Sequence, residues 1–284
     1  MTSPLQTTMF NGVSEFYNGV ATQSLRFNDD DNAYLSKTFG SGSQRTWTWS
    51  GWVKRNNITD HGDFLYSQVT SGSDTSWFYF NASDQLNMQN YEGSNQVDIK
   101  TNAKFRDVSS WYHVMAVLDT TQGTNTDRAK MYVNGELQTS LASSTYPSQN
   151  ADLKIGSGDA PFLIGGSPDG YGTGADYKSD MYYAEVNFVD GIALDPTYFG
   201  ETKGGVWIPK QYTGSYGTNG FRLQFKQTGT GTASASTIGA DTSGNTNHLT
   251  STNLVASDSN IPDSPENNWS TLNSTYKTDN NQPT

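Results

Sequence analysis

The chain has no cysteine, which excludes disulfides and thiolate metal sites. Glutamate occurs only at Glu15, Glu92, Glu136, Glu185, Glu201 and Glu266, and histidine only at His61, His113 and His248. Acid–base and metal chemistry therefore have few residues to draw on. Basic residues number 17 against 28 acidic ones, giving a net charge of −11, and they form no cluster. Binding of nucleic acid by phosphate neutralisation is excluded on that balance, and the acidity favours solubility. No apolar run reaches the roughly 20 residues that a membrane-spanning helix needs. The first residues, Met1–Gln6, have neither a basic n-region nor an apolar h-region, so no signal peptide is expected.

Aromatic residues and glycine are plentiful instead. Phe, Tyr and Trp make up 13% of the 284 residues and there are 28 glycines, so the core is expected to rest on aromatic rings more than on Leu and Ile. Thr46-Trp47-Thr48-Trp49-Ser50-Gly51-Trp52-Val53-Lys54 alternates large apolar with small or polar residues, the two-residue period of a half-buried strand. Trp111–Asp119 is followed by Ala129–Val133, and Asn134-Gly135 then precedes Leu137. An Asn-Gly pair between apolar runs is a strong hairpin signal, because both turn positions take positive φ.

Further short strands are expected at 24–27, 33–36, 63–68, 77–81, 85–89, 97–101, 136–139, 162–164 and 179–188, with additional ones at 206–209 and 221–225. Turn-rich sequence separates them. Strands this short and this regularly punctuated indicate an all-β antiparallel sandwich. One helical turn is expected at Asp195–Phe199, with Asp195 as N-cap and Pro196 at its first position.

Three regions follow: an N-terminal arm (1–22), a body (23–200), and a segment (201–284) that adds strands and then becomes Ser-, Thr-, Asn- and Gly-rich. From 227 onward that last segment holds only isolated apolar anchors: Ile238, Leu249, Leu254, Val255, Ile261, Trp269, Leu272 and Tyr276. It cannot form a core of its own, so it is expected to be a mobile tail or, the reading favoured, to lie extended across a partner.

The order of several motifs carries a resemblance. Leu25–Leu35, Trp47–Lys54, Trp111–Asp119, Met131–Gly135, Leu163–Gly166 and Tyr183–Phe188 together resemble the concanavalin-A-like, laminin-G-type jelly roll over about residues 23–200. A narrower set looks like tail-fibre and related virion proteins of bacteriophages, particularly marine ones. It comprises Tyr34–Gly40, Thr46–Arg55, Ala184–Gly191, Gly205–Lys210 and Pro265–Asn273.

The jelly-roll resemblance implies a calcium site between the opening strand pair and the late acidic strand, at Asn28, Asp29, Asp31 and Glu185. Ala184 stands where the family usually has a second acid. Glycosidases on this fold carry a Glu-x-Asp-x-x-Glu strand, which is absent here. Glu185 and Asp190, five apart, should face opposite sides of a regular strand. His113 lies within an apolar stretch and reads as packed. Tyr and Trp beside Asn and Asp suit stacking on sugars and hydrogen bonding to them, and Trp77, Tyr79, Tyr146, Tyr171 and Tyr177 could line a loop-side groove.

The resulting expectation is a non-enzymatic phage virion protein that requires no cofactor. It would be a tail fibre or appendage with a lectin-like domain that contacts host-surface glycans, assembled in the host cytoplasm into the virion. Its terminal segments would bind other virion subunits, and a trimer is favoured. The alternatives are a capsid decoration or head-fibre protein, or a calcium-dependent lectin or carbohydrate-binding module of a cell.

Overall fold

The computed structural model describes residues 16–58, 61–68, 74–155, 158, 161–166 and 178–268. In chain order the strands are β1 (Leu25–Phe27), β2 (Tyr34–Thr38), β3 (Thr46–Arg55), β4 (Gly62–Gln68), β5 (Asp74–Phe80), β6 (Gln85–Glu92), β7 (Asn95–Lys104), β8 (Tyr112–Asp119) and β9 (Ala129–Val133). They continue with β10 (Glu136–Leu137), β11 (Leu141–Thr145), β12 (Pro161–Ile164), β13 (Met181–Asp190), β14 (Gly200–Lys203), β15 (Val206–Pro209), β16 (Phe221–Leu223) and β17 (Thr250–Thr252).

Two antiparallel sheets face each other, as expected for a jelly-roll sandwich. One runs β1-β13-β3-β8-β9-β10, with β16 also on β13. The other runs β11-β7-β6-β5-β4-β12-β2-β17, and β14–β15 is a separate hairpin. Asn134 and Gly135 turn β9 into β10 with φ of 49° and 81°, the primed geometry that the Asn-Gly pair predicts. Asp195 caps the one expected helical turn, a 3-10 turn at Pro196–Tyr198, by accepting from the Thr197 N–H.

Aromatic rings fill the space between the sheets. Trp49 is fully buried, with its ring 5.6 Å from Phe64 and 5.5 Å from Phe78. Burial of each such side chain contributes about 1.5–3 kcal/mol. Gly51 is required beneath this cluster, because a Cβ there would stand 2.6 Å from the Trp49 ring.

The alternation in β3 foretold a half-buried strand, yet nearly all of β3 is buried. Trp47, Trp49 and Val53 face the core. The opposite face is covered by the chain after β13. Phe199, Tyr212 and Tyr216 pack with Met115, Val117 and Val189, and Trp207 packs on Trp52 and Trp111. Even the polar positions of that face are used: Thr48 Oγ1 donates to the Ile192 carbonyl and accepts from the Leu194 N–H.

This covering corrects the expectation for the C-terminal segment. β16 pairs with β13 and β17 with β2, so residues 201–268 close both sheets. Ile238, Leu249 and Leu254 belong to the main core together with Phe221, Leu223 and Phe225. Of the other anchors, Val255 is exposed and Ile261 bridges to Ser24, while Trp269, Leu272 and Tyr276 lie outside the described residues. The anchors fill gaps in the chain's own sandwich, whose earlier strands supply the partner surface that they lack locally.

Part of the N-terminal arm is likewise docked. Glu266 accepts the N–H groups of Gly19, Val20 and Ala21 at 2.7–2.8 Å, and Asn18 Nδ2 donates to the Pro209 carbonyl.

Candidate functional site

The outer face of the eight-stranded sheet gathers the residue types that bind polar, ring-shaped ligands. Strand registry places Thr145, Asp98, Gln89, Trp77 and Tyr66 in one row across β11, β7, β6, β5 and β4. Ser143, Lys100, Asn87, Tyr79 and Asp63 form the neighbouring row. Phe78 and Phe80, the alternate residues of β5, point into the core, and this period of two is what turns Trp77 and Tyr79 outward.

Trp77 and Tyr79 are half-buried, with ring centroids 5.9 Å apart. Each is buttressed by another ring: Tyr66 lies 5.6 Å from Trp77, and His61 stacks nearly parallel on Tyr79 at 5.6 Å. The polar members of the rows are held in place. Asp98 accepts from Ser143 Oγ at 2.7 Å and from Asn87 Nδ2 at 3.4 Å, and Gln89 Nε2 donates to Asn95.

His61, Asp63, Trp77 and Tyr79 also border a notch of about 20 Å³. That volume accommodates about one water. A larger ligand would therefore lie on the face rather than enter it.

The other residues singled out from the sequence are elsewhere. Tyr146 follows the outward Thr145 and so faces inward. It lines a separate cavity of about 320 Å³ at the open edge of the sandwich, with Ile99, Met131, Leu137 and Leu141. β11 and β5 are three strand spacings apart, roughly 14 Å, so Tyr146 does not join Trp77 and Tyr79. Tyr171 and Tyr177 lie outside the described residues.

The four positions implied for calcium do not converge. Phe27 pairs with Met181, so Asn28 lies level with Asp180, five residues and roughly 16 Å along β13 from Glu185. Asn28, Asp29 and Asp31 sit on a surface turn, where Asn28 Nδ2 donates to Asp31. Glu185 is buried and receives Arg222 Nε. Among the described residues no group of three or more His, Asp or Glu side chains is placed to hold a metal ion. The donor set does not fit calcium at these positions.

Glu185 owes its position to a β-bulge between Ala184 and Asn187, at which its own φ is 48°. Glu185 bonds Arg222, which points away from the core between Phe221 and Leu223, while Asp190 borders a cavity with the core residues Phe162 and Phe188, so the two acids face opposite sides of the strand as expected. Burial pushes the Glu185 carboxyl up to about 7, against the opposing pull of Arg222. Asp190 instead accepts the N–H groups of Ser43 and Asn219 and braces a loop.

Ser50 and His113 form a contact that sequence reasoning did not foresee. Ser50 Oγ and His113 Nε2 are 2.8 Å apart, and Trp207 Nε1 donates to Nδ1 at 3.1 Å. Indole N–H is only a donor, so Nε2 carries the ring proton and donates to Ser50. His113 is wholly buried between the Trp52 and Trp207 rings, and burial lowers it to about 3. Such an imidazole is neutral and out of reach of a surface ligand.

Residues 22–191 match the family described as the Concanavalin A-like lectin/glucanases superfamily. Among solved structures, the heptameric SAP-like pentraxin of Limulus polyphemus is similar at 18% identity and a TM-score of 0.43, over 61% of this chain and 77% of that chain. Domains LG4-5 of the mouse laminin alpha1 chain are similar at 13% identity and a TM-score of 0.44, over 75% of this chain and 52% of that chain. The CBM40 of the Ruminococcus gnavus IT-sialidase, solved bound to alpha2,3 sialyllactose, is similar at 12% identity and a TM-score of 0.37, over 53% of this chain and 89% of that chain. No curated protein sequence matches the chain.

Proposed function

The chain belongs to the concanavalin A-like lectin/glucanase superfamily, and from that premise we propose that it is a non-enzymatic glycan-binding module of a bacteriophage virion appendage. The observation that carries glycan binding is the pair of registered rows on the eight-stranded sheet. Trp77 and Tyr79 offer apolar rings, while Gln89, Asp98 and Lys100 offer donors and acceptors beside them. A sugar ring has one apolar face and a rim of hydroxyls, so it can stack on the first set and hydrogen-bond to the second. Stacking beyond simple area burial contributes about 0.5–1.5 kcal/mol per ring.

Binding without catalysis is favoured because His113 and Glu185 are both sequestered, the one as a neutral base and the other with Arg222. Binding without calcium is favoured because Asn28, Asp29 and Asp31 stand far from Glu185. The phage setting, with location in the virion, other virion subunits as partners and a trimeric assembly, rests on the likeness of Tyr34–Gly40, Thr46–Arg55, Ala184–Gly191, Gly205–Lys210 and Pro265–Asn273 to tail-fibre proteins.

The test is a glycan array with the full chain in chelator, followed by titration of the best ligand against Trp77→Ala. Binding should persist in chelator and weaken about tenfold in the variant, the equivalent of one stacking contact. Undiminished binding by a folded Trp77→Ala protein would remove this face from the reading, and binding abolished by chelator would restore calcium. Light scattering tests the assembly, and a monomer at all concentrations would overturn the trimer.

A further inference from the structure

We propose that Lys54 and Asn268 join in an intramolecular isopeptide bond, with Asp263 as the proton carrier. The inference is independent of glycan binding. It rests on three side chains that meet where β3 passes beneath the chain's last described residues. Lys54 projects from the outer face of β3, and its side chain is only 6% exposed. Its Nζ lies 2.8 Å from Asp263 Oδ2 and 3.0 Å from Asn268 Oδ1.

Both partners are oriented by further contacts. Asp263, with its side chain 2% exposed, accepts from Trp111 Nε1 through Oδ1 at 3.1 Å. Asn268 Nδ2 donates to the Ser109 carbonyl at 3.0 Å, so the amide is held at both ends. An amine, a carboxamide and a carboxyl group thus meet, with the amine against the oxygen bonded to the carbon that it would attack.

The chemistry is a transamidation that needs no co-reactant. The attacking species is the neutral amine, reached when Lys54 passes a proton to Asp263 across their 2.8 Å contact. In the neutral form the Nζ lone pair adds to Asn268 Cγ, and Asp263 gives its proton to Oδ1. The tetrahedral centre then collapses. Its C–Nδ2 bond breaks as the Nζ proton passes to Nδ2 by way of Asp263, ammonia leaves from the exposed side of Asn268, and the hydroxyl proton is left with Asp263. The ammonia takes up one further proton, so the balance is lysine ammonium plus carboxamide giving a secondary amide plus ammonium. No atom changes oxidation state, and Asp263 ends as the carboxylate it was at the start. Contact of fixed reactants at this range is the condition under which intramolecular reactions gain most over their bimolecular counterparts.

The bond would tie residue 268 to residue 54 across 214 positions of sequence, in a chain that has no cysteine with which to make a disulfide. It would also lock the N-terminal arm, because Glu266, two residues before the link, holds the backbone of Gly19, Val20 and Ala21.

Intact-mass measurement of the full chain tests the proposal. The native protein should be lighter than its sequence by one ammonia, and proteolysis should release one fragment that contains both Lys54 and Asn268. Asn268→Ala changes a surface residue, so it should fold and should have its full sequence mass. Asp263→Asn, checked for folding by circular dichroism, should remain unlinked, and Lys54→Arg gives a second unlinked protein of the same charge. A native chain at its full mass after prolonged incubation overturns the bond. So does an ammonia loss that maps to other residues. A folded Asp263→Asn variant that links as completely as the native chain overturns the role of Asp263.

Discussion

Replacement of His113 by Gln should flatten part of the pH dependence of folding, and the size of the effect follows from the site. His113 has no contact with water, and burial holds its imidazole near 3, against 6.5 in an unfolded chain. Between those two values the unfolded chain carries a proton at residue 113 that the native chain refuses. Stability conferred by the neutral imidazole is therefore complete above pH 6.5 and falls as the pH drops, by about 1.4 kcal/mol per pH unit. At pH 4.5 the loss is about 2.7 kcal/mol, a large share of the 5–15 kcal/mol typical of a domain.

Glu185 acts in the opposite sense. Its folded value of about 7 lies above its ordinary 4.5, so stability falls as the pH rises between them. The native protein's own profile therefore mixes two slopes, and only the difference between native protein and variant isolates His113. Glutamine retains a hydrogen-bonding group for Ser50 or Trp207 but cannot titrate. In urea unfolding from pH 4.5 to 8, the native protein's advantage over His113→Gln should be greatest near neutrality and should shrink by about 1.4 kcal/mol per unit below pH 6. A gap that stays constant from pH 7 to 4.5 would show that His113 accepts a proton in the folded state, and the Ser50–His113 contact would then be open to solvent and to catalysis.

Other outcomes follow from the same packing. Arg222→Met leaves the buried Glu185 carboxylate without its cation and should cost about 3–5 kcal/mol at pH 8, and much less at pH 5, where Glu185 is already neutral; equal losses in denaturant melts at both pH values would contradict this. Leu249→Ala should cost about 2–5 kcal/mol, because Leu249 is fully buried in the main core; a loss below 0.5 kcal/mol would mean that the segment after β16 is not part of the cooperative unit. Gly51→Ala should lower stability by about 1–3 kcal/mol as its Cβ drives into the Trp49 ring, and an unchanged thermal midpoint would show that the ring has room to move.

Much of the sandwich was legible in the chain because local rules governed it. Asn134-Gly135 specifies its turn through φ preference alone, and Asp195-Pro196 specifies its capped turn through one side-chain hydrogen bond and one fixed φ. The short edge strands β11, β14 and β17 were not foreseen. Leu141-Ala142-Ser143-Ser144-Thr145 has no large alternating residues and becomes a strand because β7 offers it hydrogen bonds. In the candidate site, Trp77 and Tyr79 were visible as aromatic residues two apart. Their buttresses Tyr66 and His61 and their polar neighbours Gln89, Asn87 and Asp98 were not, since each lies on another strand and only registry brings them together.

Periodicity and turn chemistry act within a few residues, and they were sufficient to determine an antiparallel aromatic sandwich, whereas the placing of Trp77 and Tyr79 on a sheet face rather than in a loop-side groove needed the strand registry. The long-range outcomes needed the closed structure. The Ser-, Thr- and Asn-rich segment after residue 227 has too few apolar groups to bury by itself, and nothing local says that Ile238, Leu249 and Leu254 will find gaps in a core built by residues as distant as Leu25. The meeting of Lys54, Asp263 and Asn268, the separation of Glu185 from Asn28, and the burial of His113 beneath Trp207 have the same origin. Each depends on where two distant stretches of backbone stop relative to one another, and only the packing of the whole sandwich sets that distance.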